Sequence, residues 1–301
     1  MESANHRLSQ LVNMESPQDV FNEVKCTVLM MFPRFDFEPL NLLFRDTLDL
    51  FQGLYPGYQK CDTTYHELQH TTDTFLTTAR IIHGATIRNV NFSERSVALT
   101  LISALLHDSG YILVRGEKGP GAKYTLVHIG RSIAFMEKYL VDKGYSREDV
   151  EYCDAILKCT GLDVNLAEIS FVSQEHETLG KMLGTADLSG QMADRTYLEK
   201  LPFLYHEFRE ANIEGIGSEL DFLKNTPGFF DIVMGRFRSE LGGVYKYMRD
   251  HFRVRWGIDE DLYMSAIEIN IRYLKYILEH HEKDYREYLS RGYLRPKPKK
   301  L

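Results

Sequence analysis

The strongest constraint on this chain is the spacing of its apolar residues, which recur at helical intervals along most of its length and rarely alternate. In Ser96–Leu106, Val97, Leu101 and Leu105 are joined by Ala98, Ile102 and Leu106 in a stripe broad enough for a buried helix. Near the other end Ile267, Ile271, Leu274 and Leu278 draw a similar stripe, with Glu268, Arg272, Lys275 and Glu282 on the opposite face. This predicts one long helix over Leu262–Leu289. Pro17 after Ser16 reads as the first turn of a helix running through Val28. Runs that alternate like strands are hard to find, so the expected fold class is all-α.

Two stretches interrupt the helical pattern. Gly110–Lys123 (GYILVRGEKGPGAK) has too much glycine for a packed helix and reads as a loop, either a lid or a plain connector. Glu214–Pro227, with Gly215, Gly217 and Pro227, reads as a second break. The expected organisation is a loose segment at 1–15, one helical domain at 16–290 and a basic tail at 291–301. Lys118 and Lys123 could offer charge to a phosphate.

Composition narrows the function classes. Thirty-six Lys and Arg against 43 Asp and Glu leave a net charge of −7. That balance gives no general attraction for nucleic acid or an anionic membrane. Cys26, Cys61, Cys153 and Cys159 form no CxxC pair and read as reduced thiols. The first residues lack the basic flank and apolar core of a signal peptide, and no apolar run reaches the roughly 18 residues of a membrane span. The expectation is a cytoplasmic protein.

Three short segments concentrate chemistry-bearing residues. Tyr65-His66-Glu67-Leu68-Gln69-His70-Thr71-Thr72-Asp73 sets His66, His70 and Asp73 at i, i+4 and i+7, one face if the segment is helical. Ala104-Leu105-Leu106-His107-Asp108-Ser109-Gly110 runs an apolar helix into a His-Asp pair, a costly place for a carboxylate unless it is paired or ligated. Gly184-Thr185-Ala186-Asp187-Leu188-Ser189-Gly190 sets another acid among small and apolar residues. Two imidazoles and two carboxylates make a mixed nitrogen and oxygen set suited to Zn, Mn or Fe, with a carboxylate able to be shared with a neighbouring Mg or Mn.

The order His…His-Asp…Asp resembles that of the HD superfamily of metal-dependent phosphohydrolases. Within it the chain looks most like the catalytic domain of class I 3′,5′-cyclic nucleotide phosphodiesterases, over roughly Gly53 to Arg249. Tyr65-His66-xxx-His70-xx-Asp73 is similar to that family's YHNxxHAxDV, Ala186-Asp187-Leu188-Ser189 to its ADLS, and Gly228-Phe229-Phe230-Asp231-Ile232-Val233 to its GFIDYIV. Glu207–Glu214 (EFREANIE) loosely echoes the acidic, aromatic segment between them.

The resemblance implies a multi-helix HD bundle and a two-metal centre ligated by His70, His107, Asp108 and Asp187, with Asp108 bridging. It implies His66 as general acid to the departing O3′, His128 near the second metal, and Tyr65, Thr226 and Phe229 on the substrate side, with Phe229 against a purine. Three positions depart from the family pattern. Thr226 stands where the family has the glutamine that binds the base, and a hydroxyl cannot make a carboxamide's two-point contact. Tyr111 replaces the second histidine of HDxxH, and Glu67 replaces an asparagine.

The expected activity is hydrolysis of a cyclic nucleotide. A different nucleotide or phosphoester is the alternative, and a di-iron oxygenase or a non-catalytic sensor a more distant one. The expected partner is a small molecule, with a second copy of the chain as a possible dimer mate.

Overall fold

The computed structural model describes residues 8–289, and among them there is no β-strand, only an isolated bridge between Tyr58 and Val114. The helices are α1 (Leu8–Leu11), α2 (Pro17–Met31), α3 (Glu38–Gln52), α4 (Leu68–Ile87), α5 (Glu94–Leu106), α6 (His128–Asp142) and α7 (Arg147–Lys158). They continue with α8 (Gln174–Ala193), α9 (Tyr197–Glu210), α10 (Glu219–Arg238), α11 (Met248–Trp256), α12 (Leu262–His280) and α13 (Tyr285–Leu289). The protein is all-α, as the apolar spacing predicts.

Local chemistry sets several boundaries. Ser16 caps α2 by accepting from the Asp19 amide, with Pro17 in the first turn. That helix runs three residues beyond Val28, to Met31, and stops where Phe32 turns extended. Ser93 caps α5, whose Val97, Leu101, Ala104 and Leu105 are fully buried. Within the segment expected to be loose, Leu8–Leu11 is helical and Val12 is buried. The tail expected at 291–301 lies outside the described residues.

Two expectations are corrected. The stripe over Leu262–Leu289 is not one helix: α12 ends at His280, and α13 resumes at Tyr285. Pro227 is not part of a break either, because α10 passes through it. A Ser218–Asp221 capping box starts α10 strongly, and the Thr226 hydroxyl donates to Phe222 O in the turn where proline has no amide to give.

At the centre lies α4, packed against α8, α2, α11 and α5. Every residue of it from His70 to Ala85 is buried, although Thr71, Thr72, Thr74, Thr77 and Thr78 are among them. Thr77 and Thr78 donate their hydroxyls to the carbonyls one turn back, Asp73 O and Thr74 O. Gly84 lets the chain at Tyr247 approach: a Cβ there would sit 1.9 Å from Tyr247 O. The four cysteines are unpaired, and burial pushes the Cys153 and Cys159 thiols up to about 12. No helix among the described residues is long and apolar enough to cross a membrane.

Candidate metal centre

The first turn of α4, the end of α5 and the middle of α8 meet at one point. His70 sits in the opening turn of α4, His107 and Asp108 directly follow α5, and Asp187 lies mid-way along α8. The Nε2 atoms of His70 and His107 are 3.0 Å apart. Asp108 Oδ2 is 3.1 Å from the first and 3.4 Å from the second. Asp187 Oδ1 is 3.1 Å and 3.6 Å from the same two nitrogens. All four residues are buried.

These separations fit a single cation. Ligands held about 2.0–2.1 Å from one centre lie roughly 3.0 Å apart along an octahedral edge and about 3.4 Å along a tetrahedral one. Two imidazole lone pairs facing each other at 3.0 Å repel unless a proton or cation lies between them. His70, His107 and Asp187 each offer one ligand atom within 4.8 Å of the others, and Asp108 Oδ2 is buried with no good hydrogen bond.

The electrostatics agree. Burial pulls His70 down, but the carboxylates of Asp108 and Asp187 close to its Nε2 outweigh it and carry the imidazole up to about 9. His107 is raised well above its ordinary value by the same two carboxylates, again against burial. Burial favours the neutral acids, yet both carboxyls lie below the ordinary range because the imidazoles oppose it. The pocket thus draws positive charge into a buried site.

Backbone contacts set the imidazoles' tautomers. His107 Nδ1–H donates to Ala104 O at 2.8 Å and His128 Nδ1–H to Thr125 O at 2.6 Å, which leaves each Nε2 as a lone pair. His128 Nε2 lies 3.8 Å from Asp108 Oδ1, so the two oxygens of Asp108 face different imidazoles. Gly110 makes this approach possible, since a Cβ there would lie 2.0 Å from His128 O. Its amide also donates to Ser132 Oγ on α6.

His66 is reached differently from the expectation. It does not share the α4 face with His70 and Asp73, because α4 starts at Leu68 and Glu67 is extended. The turn before α4 is held by Glu207 of α9, whose Oε1 accepts from the amides of Thr64 and Tyr65 at 2.7 and 2.6 Å. Glu207 Oε2 lies 2.7 Å from His66 Nδ1, and the rings of His66 and His70 are 5.9 Å apart. Tyr111 stacks between His66 (4.4 Å) and His128 (4.6 Å).

The sequence reading did not find Glu207, Gln191 or the placement of Tyr111. The echo in EFREANIE is the one signal that pointed toward Glu207. Gln191 donates to Asp187 Oδ1 at 2.9 Å and accepts from the Tyr65 hydroxyl at 3.0 Å. Tyr65, expected on the substrate side, is buried, and its hydroxyl bonds to the same Gln191 that holds Asp187. Thr226 and Phe229 lie on α10, with no hydrogen bond or ring contact to the cluster among the described residues, and the Thr226 hydroxyl is committed to Phe222 O.

The loop after Asp108 is buried at both ends, at Tyr111–Leu113 and Gly121–Ala122. Its middle is tied down by Gln59, which donates to the carbonyls of Val114 and Glu117. Lys123 bonds within the loop, to Lys118 O, rather than to the cluster.

A family model matches residues 56–240, more than half of the chain and every residue of the cluster. The chain belongs to the Npun_R2479-like family. No curated protein matches it. In this Npun_R2479-like chain the matched region starts just before the turn that carries His66 and ends just after α10, so it contains Glu207, Thr226 and Phe229 as well.

Proposed function

We propose that the protein is a metal-dependent phosphohydrolase that attacks a phosphodiester with water, with His66 as the general acid. The observation that carries this reading is the meeting of His70, His107, Asp108 and Asp187 at donor spacings that suit one divalent cation. The two-sided placement of Asp108, with His128 on its far oxygen, supports a second cation site nearby. Zn, Mn or Fe suits the first site and Mg or Mn the second. Divalent cations there would lower the pKa of a bound water and offset phosphate charge.

The remaining work belongs to the chain. Glu207 accepts the Nδ1 proton of His66, which keeps the ring oriented and its Nε2 free to carry the proton for the departing alkoxide. Tyr111 holds that imidazole by stacking, and Gln191 and Tyr65 hold Asp187. The resemblance to class I phosphodiesterases makes a 3′,5′-cyclic nucleotide the first substrate to test. A second reading, hydrolysis of another nucleotide or phosphoester, is favoured by Thr226, whose hydroxyl bonds within its own helix and offers no base clamp.

The test is elemental analysis of the purified protein, followed by a panel of cyclic and linear nucleotides with Mn²⁺. Turnover of cyclic substrates supports the first reading, and turnover of monophosphates alone supports the second. Metal-free protein that also takes up no added metal would refute both.

A further inference from the structure

We propose that Asp73 positions His70 for metal ligation through a single buried water. The proposal rests on the metal centre described above and concerns the far side of His70, away from the cation. His70 Nδ1 and Asp73 Oδ1 are both buried, and neither has a hydrogen-bond partner in the protein. Both residues line one small cavity, together with Gln191, Asp194 and Lys200. Its volume of about 10 Å³ is close to what the centre of one water needs.

The chemistry of the two orphaned atoms is complementary. When His70 Nε2 offers its lone pair to a cation, Nδ1 must carry the ring proton and therefore needs an acceptor. Histidine ligands regularly give that proton to a carboxylate, a carbonyl or a water, which fixes ring rotation and strengthens the ligating nitrogen. His107 uses the Ala104 carbonyl and His128 uses Thr125 O, but His70 has no such contact. Asp73 lies one turn further along α4, and a water accepting from Nδ1–H would donate to its Oδ1. Lys200 does not take Asp73 as an ion-pair partner, because it pairs with Asp194 at 2.9 Å and Glu67 at 3.2 Å.

The experiment is zinc titration against a chromophoric chelator, using the full chain as wild type, Asp73→Ala and Asp73→Asn. Asp73→Ala is expected to bind zinc about 10–100-fold more weakly, the usual cost of losing such a partner. Asp73→Asn, which keeps an oxygen acceptor, should lose less. Cobalt(II) in place of zinc should give a shifted visible spectrum in Asp73→Ala, a readout that lost packing alone would not move.

Should Asp73→Ala fail to fold, a high-resolution crystal structure of the zinc-loaded wild type decides, with a water within hydrogen-bond distance of both His70 Nδ1 and Asp73 Oδ1 expected. Wild-type zinc affinity and an unchanged cobalt spectrum in Asp73→Ala would overturn the proposal, as would a structure with no water joining the two atoms. If wild type itself takes up no zinc or cobalt, the metal centre fails first. That outcome is distinguishable from one in which metal binds and Asp73 is irrelevant.

Discussion

Replacing Glu207 with glutamine separates His66, the proposed general acid, from the rest of the site. The carboxylate accepts three hydrogen bonds, from the amides of Thr64 and Tyr65 through Oε1 and from His66 Nδ1 through Oε2. In Glu207→Gln the amide oxygen must turn to the two backbone donors, because they have no other buried partner. The side-chain NH₂ then faces His66 Nδ1 and forces that nitrogen to accept. A proton can still sit on Nε2, but the ring can no longer hold protons on both nitrogens.

Turnover of a substrate with an alkoxide leaving group should fall about 10²–10⁴-fold, the usual contribution of a general acid. Stability should fall by about 1–2 kcal/mol, since a charge-assisted hydrogen bond is lost while both amides stay satisfied. The assay compares a 3′,5′-cyclic nucleotide with a p-nitrophenyl phosphodiester, whose leaving anion needs no proton. The variant should keep its metal and lose far more activity on the first substrate. Equal losses on both substrates, or an unchanged rate on the cyclic nucleotide, would refute the assignment of His66 and its partner.

Three further outcomes are expected. Asp187→Ala should emerge from purification without metal and His66→Ala with it, as read by elemental analysis; equal metal in wild type and Asp187→Ala would defeat the ligand assignment. Acid should destabilise the fold through His83, whose Nδ1 lies 2.9 Å from that of His251 and which burial, then Arg255, lowers from 6.5 to about 4. The unfolded chain binds the extra proton between those values, so stability is whole above pH 6.5 and falls by about 3 kcal/mol toward pH 4. Buried His251 shifts the same way, and urea midpoints should fall less steeply with acid in His83→Gln. Gly110→Ala should cost about 1–3 kcal/mol by chemical denaturation, because its Cβ meets the His128 carbonyl at 2.0 Å and α6 must move.

What could be read from the sequence follows from how local each signal is. The start of α2 is written in Ser16 and Pro17, and the burial of α5 in an unbroken apolar stripe. Asp108 and Asp187 stand out in the sequence because an acid among core residues is costly wherever the chain goes, whereas His70 and His107 stand out only through the order of motifs in the family the sequence resembles. The burial of α4 left no such trace, since Thr72, Thr77 and Thr78 satisfy their hydroxyls on their own helix and so enter the core without an apolar pattern. Pro227 misled because proline's cost inside a helix can be met by a strong cap and a threonine bond one turn back. Glu207 and Gln191 reach the site only through tertiary contacts, Glu207 from 141 residues away.

Tyr111, which stands where the family the sequence resembles has a histidine, ties the His66 turn to the cluster. Burial, reinforced by the charge of Asp108, raises the Tyr111 phenol well above its ordinary value. Its ring lies between two imidazoles at 4.4 and 4.6 Å, nearly parallel to both. With tyrosine, His128 is the further imidazole facing Asp108, and His66 is held beside the cluster by stacking and by Glu207, free of ligation. The braces of the two parts are joined rather than separate: Glu207 holds both His66 and the Tyr65 amide, while the Tyr65 hydroxyl bonds to the Gln191 that holds Asp187, so a shift of the turn is felt at both ends.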